Sequence, residues 1–383
     1  MAGMISTAFN WDSTVTSLPY RIGVLVFTVV VLVRSPSLSG WIRRSPWLVL
    51  FHCAYLIRLL WDLFIARVPT TDEALMTYGA FVIPALAIAP IAGYLRESEV
   101  ERKITTIGGV TCAMAVVMYF MGWGVERSII DQTFRLGFEA VNPITLGHLA
   151  ASTVLASSTL LLRRNSLLIK VPALSILVVA FSCLVLAASR GPFLSMFAGL
   201  LVLIFYRGNR RTWTIVAVSF LVLIVVFITF GDGLQLIKRF DGIGEERSSL
   251  ERLVIQANSI DQFQAHPLFG SSFLELEFLE YPHNMFIETA IALGVVGVVI
   301  LLFTLYKTWR VTLGCMKQGE FLVPLLFIQY FVGAQLSGAI YGNSALWATV
   351  ALLSTLAPSS GFRLRFPSDS KIHAAQEPKT LPI

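Results

Sequence analysis

Apolar runs of membrane-crossing length recur along almost the whole chain, and they limit its folding more than any other feature. About 20 apolar residues cross the hydrocarbon layer of a bilayer as a helix, and backbone polar groups in lipid must be satisfied within their own segment. Eleven runs fit: residues 20–33, 47–66, 76–95, 104–122, 144–162, 168–188, 191–206, 212–230, 284–305, 321–338 and 345–357. The 383 residues are 56% hydrophobic and 14% charged, against roughly 45–50% and about 25% in soluble domains. A soluble enzyme with one large core is excluded. The expected fold is all-α, a polytopic transmembrane helical bundle of eleven or twelve spans.

Charge placement gives this bundle a direction, because Lys and Arg accumulate on the cytoplasmic side. One set of alternate connections and the C-terminal tail hold 19 basic and six acidic residues, a net +13. The other set holds nine basic and fifteen acidic residues, a net −6. The N-terminus is therefore expected outside and the C-terminus inside. The overall charge of +6 records orientation and gives no reason to expect nucleic acid. The first residues lack the basic flank and small-residue cleavage site of a signal peptide, so the first apolar run reads as a retained helix.

Four segments follow: an N-terminal transmembrane bundle (1–230), an outer loop (231–283), C-terminal transmembrane helices (284–357) and a polar tail (358–383). Within the loop, S-S-L-E at Ser248 to Glu251 reads as a capping box. Leu250, Leu253, Val254, Ala257 and Ile260 follow at helical spacing. An amphipathic helix lying on the outer membrane face and ending before Pro267 is expected. Loops this long are usually functional.

Several chemistries lack their residues. There is no Walker A loop, no H-E-x-x-H and no D-x-D pair, so neither ATP nor a metal is expected, and no cofactor. The four cysteines imply no disulfide framework and no metal-ligand spacing. Of the five histidines, His52 and His148 fall in apolar runs and read as packing residues, and His373 lies in the tail. His266 precedes Pro267 and reads as ending the amphipathic helix. His283 is different: in Y-P-H-N-M-F-I-E it sits at the mouth of a span, where an imidazole meets both water and a lipid-linked substrate.

Arg190 in A-S-R-G-P, Arg247, Arg252 and Arg135 are outer-side arginines. Their planar guanidinium matches phosphate oxygens at any physiological pH, so with His283 they suggest a diphosphate site. Inside the spans, Arg58 and Asp62 are spaced i, i+4 as a structural pair. Glu288 lies one turn after Asn284, where it could orient Asn284 or His283. A transporter or flippase is the rival reading of these three intramembrane charges.

The order S-R-G (189–191), R-S-S-L-E-R (247–252), H-P-L-F-G (266–270), P-H-N-M-F-I-E (282–288) and A-L-G-V-V-G (292–297), preceded by R-L-G-F-E-A-V-N-P-I (135–144), resembles the O-antigen ligase and polymerase superfamily. That resemblance implies a metal-independent glycosyltransferase whose donor is a glycan on undecaprenyl diphosphate and whose acceptor is a glycan or lipid A core. It implies His283 as the catalytic base and Arg190, Arg247 and Arg252 as diphosphate ligands, with Arg135, Asn284, Glu288 and His266 as supporting residues. The expected activity is polymerisation of O-antigen or exopolysaccharide repeat units, with ligation to lipid A core as the alternative. Membrane lipids and a chain-length regulator are the further expected partners.

Overall fold

The computed structural model describes residues 13–34, 38–90, 97–127, 134–138, 141–163, 166–208, 213 and 247–356. Apart from Trp213, the expected span at 212–230 lies outside these residues, as does the tail at 358–383. The chain is an all-α polytopic membrane protein, with one short hairpin among the described residues. Its helices are α1 (Ser13–Arg34), α2 (Leu38–Arg44), α3 (Pro46–Trp61, extended by a π turn Asp62–Ala66), α4 (Thr71–Thr77), α5 (Ile83–Leu86), α6 (Glu97–Phe120), α7 (Pro143–Arg163), α8 (Leu167–Leu186) and α9 (Arg190–Arg207). After the undescribed stretch come α10 (Arg247–Ala265), α11 (Met285–Lys317), α12 (Leu322–Leu336) and α13 (Ser344–Thr355). Strands β1 (Val125–Arg127) and β2 (Phe134–Leu136) pair antiparallel, with Glu126 opposite Arg135.

Among the described residues, six helical stretches are long and apolar enough to cross a membrane: 46–66, α6, α7, α8, α9 and α11. The expected runs at 321–338 and 345–357 appear as the shorter apolar helices α12 and α13. The run at 76–95 is interrupted, a π turn at Tyr78–Val82 dividing α4 from α5.

α7 is the buried centre of its half of the bundle, its sequence A-A-S-T-V-L-A-S-S-T presenting small side chains all round. In lipid no hydrophobic force drives helices together, and close van der Waals approach of small residues takes its place. The hydroxyls of Ser152, Thr153 and Ser158 donate to carbonyls four residues back, at 2.8–2.9 Å, so they cost nothing in an apolar setting. Ser152 also hydrogen-bonds the Tyr330 hydroxyl at 2.7 Å, while Gln329 Nε2 donates to His148 O at 2.9 Å. These bonds join α7 to α12. At the basic end, Glu97 accepts from Arg163 Nη2 at 2.5 Å and from Leu322 N at 2.8 Å, fastening α6, α7 and α12.

α11 is broken, which its apolar pattern does not reveal. Gly294 has φ 64° and ψ −163° in the middle of the 33-residue run. The H-P-L-F-G segment fills the break: Val295 N donates to Pro267 O at 2.8 Å and Ser271 N to Ile291 O at 2.8 Å. Gly270, at φ 71°, approaches the Ile291 and Ala292 carbonyls so closely that a Cβ there would overlap them. The glycines of H-P-L-F-G and A-L-G are thus the two sides of one backbone contact. The 23 residues from Val295 to Lys317 still measure roughly 34 Å, enough to cross a bilayer.

Arg58 and Asp62 secure this joint. Arg58 Nε donates to Ala292 O at 2.8 Å, Nη1 to Ser271 O at 3.1 Å and Nη2 to Phe269 O at 3.0 Å. Asp62 pairs with Arg58 at 3.3 Å and accepts from Phe273 N at 3.0 Å. The pair is structural, as its i, i+4 spacing implies: it satisfies carbonyls and an amide that the helix break and the loop leave without helical partners.

Candidate functional site

α10 builds the outer wall of the site. It runs from Arg247 to Ala265 and stops before Pro267, as its apolar spacing and the proline indicate. Leu250, Leu253, Val254 and Ile260 are 47–60% exposed, the arrangement of a helix whose apolar stripe rests on a membrane surface. The opposite, polar side grips the returning loop. Gln262 Nε2 donates to Ser271 Oγ at 2.9 Å and to Leu274 O at 3.1 Å, and its Oε1 accepts from Leu276 N at 3.1 Å. Gln256 Nε2 donates to Pro282 O at 3.1 Å, fixing the backbone immediately before His283.

His283 occupies the left-handed region at φ 57°, a conformation that histidine tolerates better than most residues but that remains uncommon. Asn284 caps α11, its side chain accepting from Phe286 N at 3.0 Å and Ile287 N at 3.2 Å. Between that cap and Gln256 the imidazole is turned against the Tyr281 ring, with centroids 4.3 Å apart. Its Nδ1 is buried without a partner among the described residues. Burial, and then the nearby Arg252 guanidinium, push the His283 pKa down to about 4. The ring is neutral near pH 7 and able to accept a proton.

Arg252 donates from Nη1 to the carbonyl oxygen of Leu336 at 3.2 Å. Leu336 is also where α9 begins to pack, since a Cβ on Gly191 would lie 3.7 Å from Leu336 Cβ. Arg190 is the first residue of α9, after Ser189. The end of α12 therefore meets both Arg252 and the start of α9, the helix that Arg190 opens, and the Arg252 charge acts on His283.

Next to this point a cavity of about 570 Å³ opens between α7, α12 and the 337–345 turn, and Tyr281, Tyr341, Asn142, Asn343 and His148 are among its walls. Tyr281 links cavity and imidazole. Its hydroxyl pKa is raised by burial first and by Glu280 second, and that of Tyr341 by burial and Glu288, so both phenols stay protonated donors.

The other expected site residues lie elsewhere or act differently. Arg247 opens α10, and its side chain is outside the described residues. Arg135 sits on β2, over the outer ends of α6 and α8. His266 is exposed, and its carbonyl accepts from Gly270 N at 3.1 Å, so it turns the chain after α10. Glu288 does not orient Asn284 or His283. It is fully buried, accepting from Tyr55 OH at 2.8 Å and from Ile340 N at 2.9 Å. One turn along α11 from Asn284 places it on the side facing α3 and α13, so it anchors the turn that forms the cavity floor.

His148, read from sequence as a packing histidine, lines the cavity. A signal existed in Gly333, where a Cβ would come within 2.5 Å of His148 Cε1, but it links residues 185 positions apart. Among the described residues, no group of three or more His, Cys, Asp or Glu is placed to hold a metal ion.

Residues 175–302 match a family model described as O-antigen ligase. The matched segment contains Arg190, Arg252, His283 and both sides of the Gly270–Gly294 joint. A search of curated proteins found no match.

Proposed function

We propose, from the premise that residues 175–302 make this chain a member of the O-antigen ligase and polymerase superfamily, that it polymerises lipid-linked glycan repeat units at a periplasmic site. His283 takes the proton from an acceptor sugar hydroxyl as that oxygen bonds to the anomeric carbon of the donor. The bond from that carbon to the diphosphate oxygen breaks, and undecaprenyl diphosphate leaves. Arg252 and Arg190 stabilise the charge that develops on the leaving group, and do so without a metal. The neutral imidazole can take the proton, and a diphosphate bound beside it raises its pKa towards the working pH.

One observation carries this reading: Arg252 and the start of α9 meet at Leu336, with His283 beside them through Tyr281, at the edge of a cavity of about 570 Å³. That volume lies within the range of small-ligand sites, and its tyrosine and asparagine walls suit sugar faces and hydroxyls. The transporter reading loses its motivation, because Arg58, Asp62 and Glu288 are all committed to backbone and tyrosine hydrogen bonds.

The family description favours a second reading, transfer of finished glycan to lipid A core. Lipid extracts of a deletion strain separate the two. Loss of a polymerase leaves single repeats on lipid A core, whereas loss of a ligase leaves long chains on undecaprenyl diphosphate. Complementation with His283→Ala at normal protein levels must fail to restore the product; restoration of wild-type polymer refutes the mechanism.

A further inference from the structure

A second cavity, of about 330 Å³, lies at the other end of α11, between the start of α3, the second half of α11 and α13. Arg44, Lys307 and Arg310 line it together with Ser45, Trp47 and Val311. We propose that it binds the phosphate-bearing headgroup of an anionic phospholipid in the leaflet opposite the glycan site.

The polar lining matches a phosphate diester. Neither Arg44 nor Lys307 has an acidic partner among the described residues. Arg310 Nη1 donates to the Tyr306 hydroxyl at 2.9 Å, with the guanidinium over the same ring at 5.9 Å. That contact leaves its other donors available and fixes the side chain at the rim. Ser45 stands at the N-cap of α3, yet its hydroxyl caps nothing: no side-chain bond to the helix forms, and Oγ is buried without a partner. Ser45 itself is 5% exposed. A buried hydroxyl with no partner is costly, and a phosphate oxygen accepting from it would remove the cost. The free amides of the first turn of α3 add the positive end of a helix dipole to the same cavity.

The surroundings select a lipid over free phosphate. Leu50, Leu302 and Phe303 beside the cavity are 46–49% exposed, and Trp47 stacks on Phe303 with centroids 4.8 Å apart. Trp47 and Tyr306 line the cavity itself, amphipathic rings of the kind that sit at the headgroup level. Acyl chains can run along the exposed apolar flank while the phosphate enters the basic cavity. Basic cavities between helices on the cytoplasmic side are suited to anionic headgroups.

The test uses the full-length protein purified in detergent. Native mass spectrometry and thermal unfolding are followed during titration with phosphatidylglycerol, with phosphatidylcholine and with inorganic phosphate. Wild-type protein is expected to retain phosphatidylglycerol selectively and to be stabilised by it, with no response to inorganic phosphate. The triple variant Arg44→Gln, Lys307→Gln, Arg310→Gln is expected to bind it roughly a hundredfold more weakly. The paired change Arg34→Gln, Arg43→Gln, which removes nearby exposed charge outside the cavity, is expected to leave binding intact. Equal retention of phosphatidylcholine, equal stabilisation by inorganic phosphate, or equal loss in the paired control overturns the proposal. If the triple variant does not fold, Lys307→Gln alone replaces it and is expected to weaken binding by about fivefold. Glycan polymerisation is not the readout, so this result is independent of the function proposed above.

Discussion

Nη1 of Arg252 donates to the Leu336 carbonyl oxygen at 3.2 Å, so one guanidinium fastens the outer helix α10 to the end of α12. After burial, the charge of Arg252 is what lowers the pKa of His283. The same charge that is proposed to hold the leaving diphosphate thus keeps the proposed base neutral.

Replacing Arg252 by Gln is therefore expected to have two effects. Polymerisation by purified protein should fall by about 10²–10³-fold, the cost of removing one donor to a developing anion. The pKa of His283 should rise towards its ordinary value, because a neighbouring positive charge has gone. An unchanged acid limb in the pH profile of Arg252→Gln contradicts the proposed coupling.

In the wild type, the acid limb of kcat/KM should lie near pH 4 and not near 6.5, since burial and then Arg252 hold His283 at about 4 in the free protein. A bound diphosphate acts with the opposite sign, so the limb of kcat should lie at higher pH. The linked stability change follows in direction. The unfolded chain takes up this proton first, so the contribution is complete above about pH 6.5 and is lost as pH falls towards 4. Thermal unfolding across that window, in wild type and His283→Gln, measures it.

His283→Gln keeps a polar side chain beside Tyr281 but removes the proton acceptor. Rates are expected to fall by about 10²–10⁴-fold, the usual share of a general base. Donor affinity, read as KM for the lipid-linked glycan, should change far less. A variant that loses affinity and keeps kcat would place His283 in binding only.

Arg58→Lys tests the joint between the loop and the broken helix. A lysine cannot reach Ala292, Ser271 and Phe269 together, and Asp62 is fully buried. Each buried carbonyl left without its donor costs about 1–3 kcal/mol. A lower unfolding midpoint and faster proteolysis after α10 are expected, with activity lost in proportion to folded protein.

Gly294→Ala should damage the same joint from the other side. At φ 64° a Cβ would overlap the Leu268 carbonyl, and roughly 3 kcal/mol or more is expected from strain and overlap together. Gly314→Ala, further along α11 where nothing lies within 4 Å, is the matched control and should be neutral or slightly stabilising.

The bundle and the amphipathic helix α10 were legible because both depend on local periodicity: apolar runs near 20 residues, apolar residues at helical spacing from Leu250, and a proline at 267. Arg190, Arg252 and His283 could be singled out because a charged or titratable residue at a membrane boundary is costly unless it has a partner or a task. Sequence could not show which of them meet. Leu336, the residue that gathers Arg252 and the start of α9, is an ordinary apolar residue with no distinguishing pattern. Glu288 lay one turn from Asn284 and looked like its partner, but rotation about α11 turns it to Tyr55 and Ile340. The break at Gly294 was hidden because hydropathy is unchanged across it, and only the loop that fills it reveals why glycine is needed. Sequence by itself determined the class of fold and the residue types available for chemistry. Tertiary structure decided which of those residues share a site, because that depends on helix rotation and on backbone contacts between segments distant in the chain.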